Sequence, residues 1–285
     1  MFWKMRVNKL VLIIFCLFIL DFFVWGLILF PRGVGGESLY FFDVGQGDSQ
    51  MISLGNIQML IDGGPNAKIL SELPKAMSTA DRYVDIVILS HPELDHFGGL
   101  IDVLKNYRVG LFIDNGRGRE NAAYSELRNL IAERKINYLA LAEGDRIKYK
   151  DDVLEILSPS SKLSGSKELN DTALVLKFES PKFNVLYTSD IGFDVEKELL
   201  KKFNLSANVL KVAHHGSKYS SSKEFLAAVS PKAAIFEVGK NSYGHPTKEV
   251  LSRIAEIGAQ IFRTDTNGTI KFDIAKDVLN ISTTN

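Results

Sequence analysis

Cysteine is almost absent from this chain of 285 residues, since Cys16 is its only one. A single cysteine excludes an intramolecular disulfide framework and every zinc module built on several cysteines. Neither sign of charge is in excess, because 34 Lys and Arg residues balance 34 Asp and Glu residues. The chain therefore lacks the overall basic surplus of many nucleic-acid-binding proteins. Hydrophobic residues make up 46%, as in ordinary globular proteins, which excludes wholesale disorder.

Histidine is also scarce, and any metal site must be built from histidine and carboxylate side chains. The five histidines are His91, His96, His214, His215 and His245. Four of them follow short apolar runs that have the composition of buried strands. Because ligands in α/β proteins are usually bound at the carboxyl ends of strands, these histidines are the first candidates for a functional site.

One long hydrophobic run, residues 10–30, stands apart from the rest of the sequence. It reads LVLIIFCLFILDFFVWGLILF, with Asp21 as its only charge. A helix of this length spans about 30 Å, the thickness of a bilayer's hydrocarbon core. A cleaved signal peptide is the main alternative, but the run ends in Phe30-Pro31-Arg32 without the small residues of a cleavage site. We therefore expect an uncleaved membrane anchor.

The basic residues around this run predict its orientation. Lys4, Arg6 and Lys9 precede it, and only Arg32 follows closely. Positive charge stays on the cytoplasmic side, so the rest of the chain is expected outside the cytoplasm, in the single-pass topology of a cell-membrane protein. The predicted organisation is a cytoplasmic N-terminus (1–9), an anchor (10–30), a linker (31–37), one domain (38–274) and a C-terminal tail (275–285).

From residue 38 onward, short strand patterns are interspersed with helical patterns, which indicates a layered α/β domain. Strands are predicted over residues 39–42, 50–53, 58–61, 85–89, 109–113, 153–157, 173–178, 184–187, 208–212, 233–236, 260–263 and 269–273. Helices are predicted over residues 69–77, 99–107, 121–135, 195–202, 223–229 and 247–257.

The segment after the strand at 85–89 carries four possible metal ligands within six residues, in the order His91, Glu93, Asp95 and His96. One such loop can supply two adjacent ions. The alternative is a polar turn in which Asp95 caps the next helix. Ionisable groups packed this densely would repel each other or stay unpaired without an ion, so the spacing favours a metal site.

Seven motifs along the chain resemble the metallo-β-lactamase superfamily, and within it the extracellular hydrolase domain of ComEC-type DNA-uptake proteins. They are FDVGQGDS (42–49), IDGG (61–64), SHPELDHFGG (90–99), NDTALVL (170–176), YTSDI (187–191), KVAHHGS (211–217) and YGHP (243–246). The resemblance implies an α/β fold, an αββα four-layer sandwich preceded here by one transmembrane helix. It places a dinuclear site at the edge between the two sheets.

The resemblance also implies two divalent ions, zinc or manganese, and a ligand for each position. The expected ligands are His91 and Glu93 for the first ion, Asp95, His96 and His215 for the second, and Asp190 as the bridge. His215 is preferred over His214 because it directly precedes Gly216, as the terminal ligand histidine does in relatives. Many relatives carry histidine or aspartate where Glu93 stands, which leaves the strength of the first site open.

Further residues are expected to act on substrate or to support the ligands. Asp95, Asp190, His214 and His245 are the expected catalytic residues, with His214 facing the substrate phosphate and His245 either protonating a leaving group or lying in an ordinary loop. Ser217 is interpreted as a helix N-cap rather than a nucleophile. The residues expected to support the ligands or contact substrate are Asp43, Asp48, Asp62, Asn170, Asp171 and Ser217.

The first functional hypothesis is a membrane-anchored, extracytoplasmic phosphodiesterase or nuclease that uses a hydroxide shared by two ions. Its partners would be the membrane, through the N-terminal helix, and DNA or another phosphodiester. Beyond the anchor the chain carries 31 basic and 33 acidic residues, which disfavours tight nonspecific DNA binding. The loop 116–119, GRGR, with Lys218 and Lys223, is either a local basic groove or an exposed turn.

Two alternatives remain open at the level of sequence. The first is a hydrolase of a small envelope ester or phosphodiester, similar to a phosphorylcholine esterase. The second is a non-catalytic binding module, which would be expected to have lost its ligands. The multi-span channel of ComEC proteins is absent from this sequence, so the resemblance does not carry a transport role with it.

Overall fold

The computed structural model describes residues 9–29, 36–78, 81–181, 183–275 and 278–285. The predicted cytoplasmic residues 1–8, Phe30 of the predicted anchor and residues 31–35 of the predicted linker lie outside these ranges. Helices in the described residues are α1 (Lys9–Leu29), α2 (Ile69–Ala76), α3 (Leu94–Asn106), α4 (Ala122–Glu133), α5 (Phe193–Lys202), α6 (Lys223–Val229), α7 (Lys248–Glu256) and α8 (Thr264–Asn267).

The strands form two mixed sheets. In the first half of the chain the strands are β1 (Glu37–Phe41), β2 (Gln50–Leu54), β3 (Ile57–Ile61), β4 (Tyr83–Ile88), β5 (Arg108–Asp114), β6 (Asn137–Ala140) and β7 (Arg146–Tyr149). In the second half of the chain the strands are β8 (Asp152–Ser158), β9 (Val175–Glu179), β10 (Asn184–Tyr187), β11 (Val209–Lys211), β12 (Ala233–Phe236), β13 (Gln260–Arg263), β14 (Ile270–Ala275) and β15 (Val278–Thr283). One sheet has the order β15-β14-β1-β2-β3-β4-β5-β6 and the other the order β13-β12-β11-β10-β9-β8-β7.

Three hydrophobic cores separate four layers, which confirms the predicted αββα sandwich. Alternation along β1 shows how the sequence builds them, because Leu39 and Phe41 enter the core between the sheets whereas Tyr40 enters the core under α2, α3 and α4. On β10, Val185 faces the other sheet and Leu186 faces α5, α6 and α7. Strands buried on both faces need apolar residues at every position, as these do.

The carboxyl ends of the parallel strands in both sheets meet at one edge of the sandwich. Strands β3, β4, β5 and β6 run parallel to each other, and so do β10, β11, β12 and β13. Asp62 follows β3, His91 follows β4, Asp190 follows β10 and His215 follows β11. We call this side the metal-centre edge.

The structure differs from the sequence predictions at several elements. Strands β6 and β7 were not predicted, because they are short edge strands with exposed side chains. The predicted tail, residues 275–285, includes β15, which pairs antiparallel with β14 along six residues. Helix α3 begins at Leu94, five residues before the predicted start at Gly99. Helix α1 includes residues 10–29 of the predicted anchor and is long and apolar enough to cross a membrane by length and composition.

Candidate metal centre

Helix α3 starts inside the histidine motif, so Asp95 and His96 lie in its first turn. Gly98 and Gly99 also lie within this helix. A Cβ at Gly98 would come within 2.2 Å of the Pro65 carbonyl oxygen, and one at Gly99 within 2.0 Å of the Gly63 oxygen. The two glycines therefore let the helix pack directly on the loop after β3.

Four predicted ligands converge at the metal-centre edge. Ligand atoms of Asp95, His96, Asp190 and His215 all lie within 4.8 Å of one another. The Asp190 Oδ2 atom lies 3.5 Å from the Nε2 atom of His96 and 3.5 Å from that of His215. Both imidazoles and Asp190 are buried. We call these residues the four-ligand group. It joins α3 of the first half to the strand ends of the second sheet.

The unpartnered atoms of this site fit divalent cations. The Nε2 atoms of His91 and His96 and the Oδ1 atom of Asp190 are buried without a hydrogen-bond partner among the described residues. The His91 ring lies beside the His96 ring, with their centroids 4.2 Å apart. Buried polar atoms without partners are uncommon and costly in native proteins. Imidazole nitrogens and carboxylate oxygens are donors for zinc and manganese, which would satisfy all three atoms.

The two neighbouring histidines of the HHGS motif occupy different positions. Both have a left-handed backbone, with φ of 52° at His214 and 53° at His215. Such strain in residues other than glycine is concentrated at functional sites. The His215 Nδ1 atom bonds the Glu237 carbonyl oxygen at 2.7 Å, which aims Nε2 at Asp95 and Asp190. His214 is about one-third exposed, with its Nε2 3.8 Å from Asp190 Oδ2.

Asp62 holds the histidine motif in place. Its Oδ1 accepts from the Ser90 amide at 2.8 Å and its Oδ2 accepts from the Ser90 hydroxyl at 2.7 Å. The same Oδ2 lies 2.8 Å from the Nδ1 atom of His96. A carboxylate on the second ring nitrogen fixes the orientation of a ligand histidine. Asp62 therefore contacts both Ser90 and His96 of the motif, and its role in supporting the ligands stays a prediction.

Asp48 supports the opposite side of the group through a buried cation. It forms an ion pair with Lys211, which is fully buried and also donates to the Ser189 carbonyl oxygen at 3.1 Å. The Asp48 Oδ1 atom lies 3.3 Å from Nδ1 of His215. Glu237, at the end of β12, accepts from the Ser49 amide at 2.9 Å. Asp48 and Lys211 thus neutralise each other behind the ligands.

Electrostatics in the site favour charged carboxylates and proton-binding histidines. Burial opposes ionisation of Asp190, but His215, His96 and Lys211 outweigh it and hold the pKa of Asp190 well below its ordinary value. Burial likewise opposes a charge on His215, yet Asp190 and Asp48 raise its pKa to about 10. The pKa of His96 is raised by Asp190, Asp62 and Asp95 despite its burial. A divalent cation would displace protons from these nitrogens.

His91 differs from the other buried histidines. Burial and the neighbouring His96 lower its pKa to about 3, so its imidazole is neutral and available as a ligand. Its Nδ1 atom lies 3.0 Å from the Ser90 hydroxyl and 3.3 Å from the Ser189 hydroxyl. Those contacts occupy Nδ1, which leaves Nε2 as the ring nitrogen that can bind a metal ion.

Glu93 is not brought to the four-ligand group. Its carboxylate forms an ion pair with Arg119, which also donates to the Pro92 carbonyl oxygen at 3.3 Å. Arg119 belongs to the GRGR loop, and Arg117 of the same loop donates to the Ser166 carbonyl oxygen at 3.0 Å. The two arginines are therefore engaged with the protein itself. They do not form the basic groove that the sequence left open.

A cavity of about 290 Å³ opens over the four-ligand group. His214 and His245 line it, with their rings 5.7 Å apart, and the ring of Tyr243 is stacked 5.8 Å from that of His245. Burial lowers the pKa of His245, with a further contribution from His214. The cavity walls comprise Gln46, Glu93, Asp95, Glu168, Leu169, Asn170, Asp190, His214, His215, Tyr243 and His245.

Three residues that the sequence placed at the site lie elsewhere or do something different. Asp43 forms an ion pair with Lys68 at 2.8 Å. The Asp171 carboxylate accepts from the Ser166 hydroxyl at 2.8 Å, and only its neighbour Asn170 lines the cavity. Ser217 is not a helix N-cap. Helix α6 begins later, and the N-cap is Ser222, whose hydroxyl accepts from the Phe225 amide.

Sequence reasoning missed several residues that shape the site. Lys211 carries a usable signal, because it is a lone cation inside an apolar strand. Glu237, directly after the apolar run of β12, carries a similar one. Gln46 lies inside the FDVGQGDS motif and Tyr243 inside the YGHP motif, but no role was predicted for either residue. The pairing of Arg119 with Glu93 has no local signal, because it depends on the path of a loop.

A family model described as the metallo-beta-lactamase superfamily matches residues 43–239. The chain is 32% identical over 251 residues to ComE operon protein 3 of Bacillus subtilis, which covers 81% of this chain and 32% of that protein. It is 31% identical over 240 residues to competence protein ComA of Neisseria gonorrhoeae, covering 82% of this chain and 32% of that protein. The chain thus spans about a third of the length of these relatives.

The fold is also found among solved structures. The metallo-beta-lactamase fold protein YhfI from Bacillus subtilis is similar with a TM-score of 0.56 at 11% identity. The match covers 82% of this chain and 99% of that chain. At this level of identity the likeness concerns the fold alone.

Proposed function

This chain belongs to the metallo-beta-lactamase superfamily, and we propose that it is a membrane-anchored, metal-dependent phosphodiesterase of the ComEC type. One observation carries the proposal. Four ligand side chains converge within 4.8 Å beneath an open cavity, and buried donor atoms beside them have no protein partner. A binding module without metal chemistry would have no need to bury those atoms unpaired.

Divalent ions held by the four-ligand group and by His91 would supply a nucleophile at neutral pH and stabilise charge on a phosphoryl oxygen. The protein's own residues position and balance this chemistry. Asp62 and the Glu237 carbonyl oxygen orient His96 and His215, and the pair of Asp48 with Lys211 keeps the buried charge balanced. Pre-organised groups of this kind need no rearrangement when charge develops in the transition state.

His214 and His245 are placed to act on the substrate itself. Both line the cavity, and the His245 Nδ1 atom is buried without a hydrogen-bond partner among the described residues. A lowered pKa keeps His245 neutral at pH 7, so one ring nitrogen can donate a hydrogen bond while the other accepts one. We propose that His245 donates a hydrogen bond to the leaving oxygen and that His214 contacts a phosphoryl oxygen.

The similarity to competence proteins extends over 81–82% of this chain. This similarity favours DNA as the first candidate substrate. A specific observation favours a smaller phosphodiester as the second candidate. The walls of the cavity contain four carboxylates and no lysine or arginine among the described residues. Such walls add no cationic side chain to the bound ions for the attraction of a long polyanion. An envelope phosphodiester with a cationic group would suit them better.

The experiment that tests the proposal uses the full chain, loaded with zinc or with manganese. Its substrates are bis(p-nitrophenyl) phosphate and single- and double-stranded DNA. Asp190→Ala should abolish hydrolysis. Asp194→Ala is the matched control, because Asp194 is an exposed aspartate at the surface of α5 that pairs with Lys197. Cleavage of DNA supports a nuclease, and cleavage of the small diester alone supports the second candidate. Metal binding without hydrolysis of any of these three substrates would contradict the proposed enzymatic activity.

The other part of the proposal is that the chain is anchored in the membrane and that its domain lies on one particular side. We propose that α1 spans the membrane and that the domain lies outside the cytoplasm, as the basic residues before α1 favour. A protease added to spheroplasts should degrade the domain and leave the extreme N-terminus protected. Protection of the domain would reverse the orientation, and release of a soluble form would show that the apolar segment is cleaved.

A further inference from the structure

The polypeptide enters the domain at the edge opposite the metal centre. Glu37 at the start of β1 pairs with Leu54 at the end of β2, and Leu54 pairs with Ile57 at the start of β3. Strand β3 begins here and runs towards Asp62, so β1 also begins on this side. We call it the entry edge. It lies one strand length, about 16–20 Å, from the metal-centre edge.

The chain length between α1 and β1 limits how far the entry edge can lie from the anchor. Helix α1 ends at Leu29 and β1 begins at Glu37. A chain extends by at most about 3.3–3.6 Å per residue, so these eight steps span no more than about 29 Å. If α1 crosses the membrane, Glu37 at the entry edge therefore lies within about 29 Å of the end of the anchor, and the metal-centre edge is joined to the anchor only through the domain.

The entry edge carries a cavity of about 500 Å³ with basic and aromatic walls. Arg108 lies over the Tyr83 ring at 5.5 Å, and Arg82 beside the cavity lies over the Tyr107 ring at 4.9 Å. Arg134 donates to the Lys105 carbonyl oxygen at 2.8 Å. We call Arg82, Tyr83, Tyr107, Arg108 and Arg134 the arginine–tyrosine surface.

The charges of this surface are not neutralised within the protein. Among the described residues, no carboxylate lies within 4 Å of the guanidinium groups of Arg82, Arg108 or Arg134, and none lines the cavity. The contacts that hold these arginines are aromatic rings, a tyrosine hydroxyl and carbonyl oxygens. All three side chains are exposed. Three fixed positive charges thus face outward at the entry edge of the domain.

We propose that the arginine–tyrosine surface is a membrane-contact site that binds the phosphate groups of anionic lipids and directs the metal centre away from the bilayer. This inference rests on the proposed anchoring of α1. Guanidinium groups bind phosphate oxygens in pairs, and the exposed Tyr83 ring suits the headgroup level, whereas Tyr107 is buried and supports Arg82. Each basic side chain near an anionic bilayer strengthens the attraction about fivefold.

The orientation of the full chain in nanodiscs tests the proposal. Cys16→Ser removes the only native cysteine, and a single new one is then introduced and labelled with a fluorophore. Ala132→Cys places it near the end of α4 at the entry edge, and Lys240→Cys places it after β12 at the metal-centre edge. Headgroup-quencher lipids are included in discs of phosphatidylcholine alone or with phosphatidylglycerol.

We expect quenching at position 132 in discs that contain phosphatidylglycerol, and no quenching at position 240. The combined variant R82Q/R108Q/R134Q should lose the quenching at 132. The matched variant K148Q/K197Q/K248Q removes three exposed lysines elsewhere and should retain it. Equal quenching at both positions, or quenching at 132 that depends neither on phosphatidylglycerol nor on the three arginines, would overturn the proposal.

Three further measurements separate this inference from the proposed function. If the chain fractionates as a soluble protein, the anchoring fails. If it stays in membranes without quenching at 132, the anchoring stands and the contact site fails. If the only property that the triple arginine variant loses is binding of a single-stranded DNA oligonucleotide, the surface serves nucleic acid and the lipid assignment is wrong. Hydrolysis of bis(p-nitrophenyl) phosphate should be the same in the triple variant as in the wild type.

Discussion

Two sets of expected ligands lie side by side in this protein and differ in how completely the fold assembles them. The four-ligand group brings its donor atoms within 4.8 Å of one another. The other set consists of His91, which is buried and neutral beside His96, and Glu93, whose carboxylate is bound to Arg119. His91, Glu93, Asp95 and His96 of the two sets come from the same short motif. The spacing of a motif therefore shows which side chains can reach an ion, and distant neighbours determine which of them do.

The difference predicts two unequal metal sites. The four-ligand group has its ligands in place, so an ion there needs no rearrangement of side chains. At the His91 site, Glu93 must first leave Arg119, which weakens binding by the free energy of that ion pair. We expect stepwise loading, in which one ion binds tightly and the second binds only at higher concentration.

The largest effect is expected for Asp190→Ala, because Asp190 belongs to the four-ligand group and is the residue expected to bridge both ions. Loss of this carboxylate should weaken both ions by more than about 100-fold, since even residues that only support metal ligands contribute about 10–100-fold. Hydrolysis should disappear. Metal content by elemental analysis and the rate with the small diester measure both effects. Full metal occupancy in this variant would mean that Asp190 is not shared.

Separate replacement of the two neighbouring histidines sharpens the assignment within the four-ligand group. His215→Ala should lose the tight ion, by about 100-fold in affinity, because its Nε2 faces both Asp95 and Asp190. His214→Ala should keep that ion and lose activity, because its exposed ring lines the cavity. The reverse order of metal loss would transfer the ligand role to His214.

The weak site is tested through the ion pair that occupies Glu93. If Glu93 is a ligand, Arg119→Gln should free its carboxylate and tighten the second ion about tenfold. Glu93→Gln should weaken that ion and leave the tight one in place, and Glu93→Asp tests whether a shorter side chain suits the site better. Metal titrations of the three variants beside the wild type decide the matter. Unchanged stoichiometry and activity in Glu93→Gln would show that Glu93 is not a ligand.

The pH dependence of metal binding should also differ between the two sets. Asp190 and Asp48 raise the pKa of His215 to about 10, so below that pH a bound proton competes with the ion. Affinity of the four-ligand group should therefore rise with pH, about tenfold per unit for each proton displaced. His91, with a pKa of about 3, adds no such dependence near neutrality. Titrations between about pH 6 and pH 9 measure the slope. A flat profile for the tight ion would contradict this electrostatic description.

Elements whose burial follows from a local pattern were predictable from the sequence. The bounds of β10, β12, β13 and α6 match the predicted residues, because each is a short apolar run with clear breaks. Strands β6 and β7 were not predictable, since exposed edge residues such as those of NYLA have no pattern of burial and acquire their structure by pairing with one neighbouring strand.

The ligand types were predictable, but their convergence was not fully so. The motifs indicated His96, Asp190 and His215 together, and the structure brings them together. The engagement of Glu93 by Arg119 joins residues 26 positions apart through a loop of irregular path. No periodicity specifies such a contact. The same holds for Ser217, because the start of α6 six residues further on depends on the turn that leads into it.

The four-ligand group also has a consequence for folding. Asp95 and His215 are 120 residues apart in the chain, and they meet only when the first sheet has docked on the second. An ion that binds both closes a very long loop and binds the native state alone, so its concentration enters directly into the free energy of unfolding. A chelator should therefore lower the Tm of the domain, and the loosened contact should be the one between its two halves.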